Sequence, residues 1–254
     1  MTVSAMPMTG NKIDVIDAVE DGFRRVFGNA LPVIELAWAP YLAVLATQLV
    51  PMSFGSGSGM VILGGLIRSF GFLVFGTVFI TRWQRYALLG ETSPQHHMFS
   101  PAWQDVFFAA LKLTLFVVVA WVILVWIALL PPRILTVFFP IVGGFTILVV
   151  SVRYSLVFPA AAIERSITFK DSWDTLQGNS WRLFAAAGIC YVPFALVRVG
   201  LGFIGDGGGG WLVWLVCQVL GLIVLFISFG IVASLVSDTY RRLVANIGGG
   251  AFAA

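Results

Sequence analysis

Residues 153–184 read RYSLVFPAAAIERSITFKDSWDTLQGNSWRLF. An apolar run arrives carrying Arg153, bends at Pro159 and leaves the oily region at Glu164 and Arg165. A short segment follows from Phe169 to Gln177, with Phe169, Trp173 and Leu176 on one face at helical spacing. Gly178-Asn179 is a helix stop, and the chain turns apolar again from Trp181. The pattern predicts a membrane span, an interfacial helix that dips the three apolar side chains into the headgroup region, and a second span.

Composition supports that reading along the whole chain. Of 254 residues, 59% are hydrophobic and 11% charged, against about 45–50% and about 25% in a soluble domain. Six apolar runs approach the ~20 residues that cross a ~30 Å hydrocarbon core. They are Leu31–Val50, Met60–Ile80, Trp103–Leu130, Ile134–Ile163, Trp181–Ile204 and Trp211–Val236. Trp83, Trp103, Trp181 and Trp211 fall at run ends, where indole rings favour the headgroup level. Before the first run, Ile13, Ile16, Val19, Phe23, Val26 and Phe27 recur on one face of a helix expected over Asn11–Phe27. Asn11 is its expected cap, and the surface of the membrane its expected seat. Residues 1–10 carry no signal-peptide pattern and are expected to be disordered, as is the tail 243–254.

The connections set an expected orientation. One set holds ten basic residues: Lys12, Arg24, Arg25, Arg82, Arg85, Arg165, Lys170, Arg182, Arg241 and Arg242. The other holds only Arg133, and Arg68, Lys112, Arg153 and Arg198 lie within runs. Lys and Arg collect on the cytoplasmic side. The fold expected is therefore all-α: a polytopic integral membrane protein of six transmembrane helices and two interfacial amphipathic helices, both termini cytoplasmic. A weak internal repeat divides its single domain, 11–242. Asp21, Phe23 and Gly28-Asn29 correspond to Asp171, Trp173 and Gly178-Asn179 at an offset of 150 residues, and Ala37 and Tyr41 to Ala187 and Tyr191. Repeat-like units 11–90 and 166–242 thus flank a hairpin, 101–163.

The motif RYSLVFPAAAIE, followed by LQGNSWRLF, is similar to the membrane domain fused to some glycerophosphoryl diester phosphodiesterases and standing alone in many bacteria. The segment FITRWQRYALLGE resembles one in stand-alone alphaproteobacterial members. The resemblance spans about Ile13 to Arg242 and implies a six-span, all-helical inner-membrane protein. In that family the activity belongs to a separate soluble barrel, absent from these residues, so the resemblance implies no phosphodiesterase activity here.

Chemistry within the chain is sparse. His96-His97 point apart on a helix and lack a third ligand at a known spacing. No GxSxG elbow or Walker loop occurs, and no basic stripe suits nucleic acid. Cys190 and Cys217 read as buried thiols. No catalytic residue, cofactor or metal is expected.

Charges in or near lipid remain, and these are paired, snorkelling or functional. Arg82, Arg85, Glu91, Arg153 and Glu164 reach one level and are expected to form a cytoplasmic ion-pair cluster. Arg198 and Arg68 lie ~10–15 Å inside the outer ends of their spans, at the rise of 1.5 Å per residue. Gln218 is at a comparable depth and Asp206 at the rim, so the four are candidates for one polar, lipid-facing pocket. Two functions fit. One is a non-enzymatic inner-membrane module: a scaffold, lipid-interacting protein or accessory subunit, with membrane lipids and other membrane proteins or a second copy as partners. The other is a transporter or channel for a small solute or lipid.

Overall fold

A computed structural model describes residues 12–28, 30–49, 58–91, 99–128, 134–165, 167–207 and 210–244. They form α1 (Val15–Phe27), α2 (Ala30–Leu49), α3 (Ser58–Leu89), α4 (Pro101–Ala128), α5 (Ile134–Arg153), α6 (Val157–Ala162), α7 (Phe169–Thr175), α8 (Ser180–Asp206) and α9 (Gly210–Leu243), with no strand among them. Six segments are long and apolar enough to cross a membrane, α5 and α6 together making one. The chain is an all-α, multi-pass membrane protein. The expected disordered segments, residues 1–10 and most of 243–254, lie outside the described residues.

Helices pair as hairpins α2–α3, α4–α5 and α8–α9, and α9 packs against α1, α2, α3, α6 and α8. The most apolar window of α9 is 61% buried, that of α4 only 6%. The first is therefore the axis of the molecule and the second a peripheral helix facing lipid. Burial is also uneven along the helices. Among the described side chains, burial towards the hairpin tips ends at Val44 in α2, Ala109 in α4 and Ile147 in α5. In α3, α8 and α9 it ends at Gly71, Cys190 and Gly221, apart from Gly64, Gly205 and Cys217. Beyond these levels each hairpin still holds itself together, as where Gly205 lies against Cys217 and Trp214. The three hairpins are thus joined at their basic ends and separate towards their tips.

α3 and α9 outlast their apolar runs. At 34 residues α9 is ~50 Å long, well over the hydrocarbon thickness. Their added turns build a protein core around Trp83 and Tyr240, both fully buried. This corrects the expected headgroup position of Trp83, whose Nε1 donates to Ser234 Oγ at 2.9 Å. A buried indole needs such a partner, and α9 supplies one. Trp181 and Trp211 do remain exposed.

α1 starts later than expected, at Val15. Asp14 is its cap, its carboxylate accepting from the N–H of Ile16 and Asp17 at 2.9 and 3.3 Å; Asn11 lies outside the described residues. Nor does the helix simply float on the membrane. Its Ala18, Gly22 and Val26 are buried against the rest of the chain. A Cβ at Gly22 would stand 3.3 Å from the Ile231 carbonyl oxygen, so the missing side chain permits the close approach to α9. Phe23 stacks on Phe194 of α8 at 6.2 Å. Ile16 and Phe27 alone among the expected apolar face are exposed outright.

The break near Pro159 falls upstream of it. α5 ends at Arg153, and α6 begins at Val157. Proline cannot donate to the carbonyl four residues earlier, and its ring crowds that carbonyl. The carbonyl belongs to Ser155, and there the ladder gives way to shorter bonds such as Val157 N–H to Tyr154 O at 3.2 Å. α7 is capped by Thr168. The Asp171 N–H donates to Thr168 Oγ1 at 3.1 Å, and Thr168 N–H and Oγ1–H donate back to Asp171 Oδ2 at 3.0 and 2.7 Å. These bonds hold the Asp171 carboxyl below the usual carboxylate range, the Thr168 side chain first. Gly178, at φ +87°, turns the chain into α8. The expected dipping face of α7 is corrected in part: Leu176 is fully buried in the protein, and Phe169 and Trp173 pack on Tyr154.

Candidate functional site: arginines at two depths

At the basic end three of the five expected cluster members meet. Arg85 extends from the last turns of α3 and grips Glu91 with both edges of its fork, Nε to Oε2 at 2.8 Å and NH2 to Oε1 at 3.2 Å. Its NH1 donates to the Ala162 carbonyl at 2.9 Å and to Glu164 Oε1 at 3.3 Å. Glu164 adopts φ 58°, and Arg165 N–H closes back on Ala160 O at 2.9 Å. One guanidinium thereby ties α3 to the end of α6.

Arg153 and Arg82 stand outside this cluster. The Arg153 guanidinium lies 4.2 Å over the Trp173 ring, and its Nε donates to Ser180 Oγ at 2.9 Å. The break at residues 154–156 turns it towards α7 and α8, away from the carboxylates. Arg82 is half-buried and makes no ion pair among the described residues.

A second basic-end network was not anticipated as a site. Arg25 of α1 pairs with Asp238 of α9 at 2.9 Å, and Arg242 with Asp21 at 2.9 Å. Arg241 NH2 donates to the Ala87 carbonyl at 2.7 Å. The signal was present as opposite charges at both ends of the chain, but only the close seat of α1 on α9 makes them neighbours.

Towards the tips the picture reverses, with cations and, among the described side chains, no anion facing them. The Arg68 Nε is enclosed and has no acceptor among the described residues. Arg198 is exposed, its stem passing the Gly221 backbone of α9, where a Cβ would meet Arg198 Cγ at 3.8 Å. α3 and α9 run parallel, with Phe79 on Phe226 at 5.0 Å and both Phe79 and Trp83 flanking Gly230. Carrying that register outward at equal rise brings Arg68 level with Gln218. On α9, Gln218 sits between the positions facing α8 (Trp214, Cys217 and Gly221) and Phe229, which meets Phe72 of α3. The Tyr41 hydroxyl donates to the Val219 carbonyl at 3.1 Å, at the same height. Arg68, Gln218 and Arg198 thus fall within about two helical turns of one another along α9, although no hydrogen bond joins them among the described residues. The Asp206 side chain lies outside the described residues.

No group of three or more His, Cys, Asp or Glu suited to a metal occurs among the described residues; His96 and His97 lie outside them. Both cysteines are free and buried. Compared with models of protein families, with curated proteins and with solved structures, the chain matches none.

Proposed function

We propose that the protein is a non-enzymatic, lipid-interacting module of a bacterial cytoplasmic membrane, acting as a scaffold or accessory subunit beside other membrane proteins or a second copy of itself. The observation that carries this reading is the level of Arg68, Gln218 and Arg198, where two cations lie in the tipward half of the bundle without a protein anion among the described residues. An unpaired cation in apolar surroundings costs several kcal/mol unless water, a partner or snorkelling relieves it. An anionic headgroup entering between the hairpins supplies two forked contacts. Under the positive-inside rule the basic end faces the cytoplasm and this level belongs to the outer leaflet. The similarity of residues 153–184 to a membrane domain whose chemistry resides elsewhere agrees with the reading. A transporter site favours helices broken near the midplane, whereas α2 and α8 run unbroken through Pro40 and Pro193.

Native mass spectrometry of Arg68→Leu and Arg198→Leu tests it. Each variant should lose acidic lipid, the double variant little more, and Arg→Lys should also weaken retention because an ammonium lacks the planar fork. Unchanged retention in all of them would sink the reading. A periplasm-active phosphatase fused after Ala254 should be silent; strong activity would reverse the orientation.

A further inference from the structure

Arg153 is fixed more firmly than a snorkelling arginine needs to be. Its guanidinium stacks on Trp173, its Nε is held by Ser180, and its own carbonyl accepts from Ser172 Oγ at 2.7 Å. Ser180 Oγ is in turn committed to the Leu176 carbonyl at 2.8 Å, and Tyr154 braces Trp173 at 5.6 Å. The plane of the fork is therefore set before any ligand arrives. What remains is its terminal edge, NH1 and NH2, which has no acceptor among the described residues. No carboxylate among those residues forms an ion pair with it. Asp171 of α7 is turned back onto Thr168. Lys170, exposed at the start of α7, adds a second positive charge at the rim.

The apolar side of this corner is built as well. Along the α5–α8 seam, outward from Arg153, Phe145, Trp181 and Phe184 pack together at 5.3–5.9 Å, Trp181 stacked on Phe184 and Phe145 tilted or edge-on to both. Trp181 is 61% exposed and Phe145 45%, so the shelf faces lipid. A cationic fork at the headgroup level above an aromatic shelf matches an amphiphile whose head is a phosphate and whose tail is an acyl chain.

We propose that Arg153, with Lys170 at the rim, binds the phosphate of an anionic phospholipid from the leaflet at the basic end, its acyl chain lying along Phe145, Trp181 and Phe184. The inference rests on the lipid-interacting reading above but uses none of its residues and the opposite leaflet. The bound group is a phosphate oxyanion, and the shelf assigns it to a lipid over free phosphate.

The test uses the full chain in phosphatidylcholine nanodiscs, with and without phosphatidylglycerol, and counts retained lipid by native mass spectrometry. Wild type should retain phosphatidylglycerol over phosphatidylcholine. Arg153→Gln should lower that preference about tenfold, equivalent to ~1.4 kcal/mol. Arg153→Lys, which keeps the charge and guards against misfolding, should lower it severalfold, and Trp181→Ala should lower retention of both lipids. Wild type with no preference overturns the inference whatever the variants do, as does an Arg153→Lys protein that melts normally and retains phosphatidylglycerol fully. Protection of wild type by inorganic phosphate without any phosphatidylglycerol preference would overturn the lipid assignment. Loss in Arg153 variants with Arg68→Leu unaffected upholds this site even if the other fails. Loss only in the Arg68 and Arg198 variants overturns it and leaves the other standing.

Discussion

Replacing Arg25 by alanine should destabilise the protein far more than replacing Asp21 by asparagine, although each residue forms a 2.9 Å ion pair across the α1–α9 contact. The side chains of Arg25 and Asp238 are 23% and 11% exposed, those of Arg242 and Asp21 42% and 39%. A pair as open as the second contributes ~0.2–1 kcal/mol. Removing Arg25 strands the Asp238 carboxylate, one oxygen of which already lacks a donor. Breaking a buried pair in this way costs ~3–5 kcal/mol. The charge of Arg241 acts on the same carboxylate and offsets part of the loss, so ~3 kcal/mol is expected. At ~2–4 °C per kcal/mol for a chain of this size, Arg25→Ala should lower Tm by ~6–12 °C and Asp21→Asn by ~4 °C or less. Labelling of the buried, free Cys190 and Cys217 by a thiol-reactive dye during a thermal ramp reports the transition. Arg25→Ala combined with Asp238→Asn should regain much of the loss, because no charge is then stranded. Equal shifts for the two single variants, or no recovery in the double one, would refute the reasoning.

Four further outcomes follow from the fold. Trp83→Phe should cost ~1–3 kcal/mol in the same melt by removing the donor to buried Ser234, and a neutral result would deny that bond a role. Thr168→Ala should cost ~1 kcal/mol, seen as faster amide exchange confined to α7. Because Asp171 titrates below its unfolded value of ~3.9, its contribution is present above that pH and lost as pH falls through the lower folded value. Exchange at α7 should therefore rise on acidification below about pH 4 in wild type but not in Asp171→Asn. Glu164 sits at φ 58°, a conformation costing ~1–2 kcal/mol for a side-chain residue, while its exposed contact with Arg85 contributes ~1 kcal/mol at most. Glu164→Gly should be close to neutral and Glu164→Val destabilising; equal losses in the two would show that the ion pair, and not the backbone conformation, dominates.

The six spans were legible because length and apolar continuity are all that crossing a bilayer requires. Gly178 was legible because few other residues close a helix at positive φ. What stayed hidden depended on neighbours. Charges at Arg82 and Asp238 marked the membrane exit but not the helix end, so the extra turns of α3 and α9 were missed. Trp83 looked like an interfacial indole until a helix some 150 residues away brought Ser234 to it. Gly22 has no side chain to mark it in the sequence, yet it is the point at which α1 seats on α9. Arg85, Glu91 and Glu164 were identifiable together because opposite charges at one depth attract. Arg153 was misplaced because the reading bent the chain at Pro159 itself, a turn too late.

Hairpins that part beyond the Tyr41–Val219 bond act as three arms on a common shaft. From Tyr191 to Gly205 the α8 arm reaches ~22 Å past Cys190, the last of its buried residues before the tip, at 1.5 Å per residue. A rotation of ~5° at the root then carries the tip ~2 Å, by the geometry of that length. Thickness and lateral pressure of the leaflet around the tips thus act on the protein with leverage, a small force there becoming a torque at the shaft. α1 lies across the roots of α8 and α9, where that torque is felt.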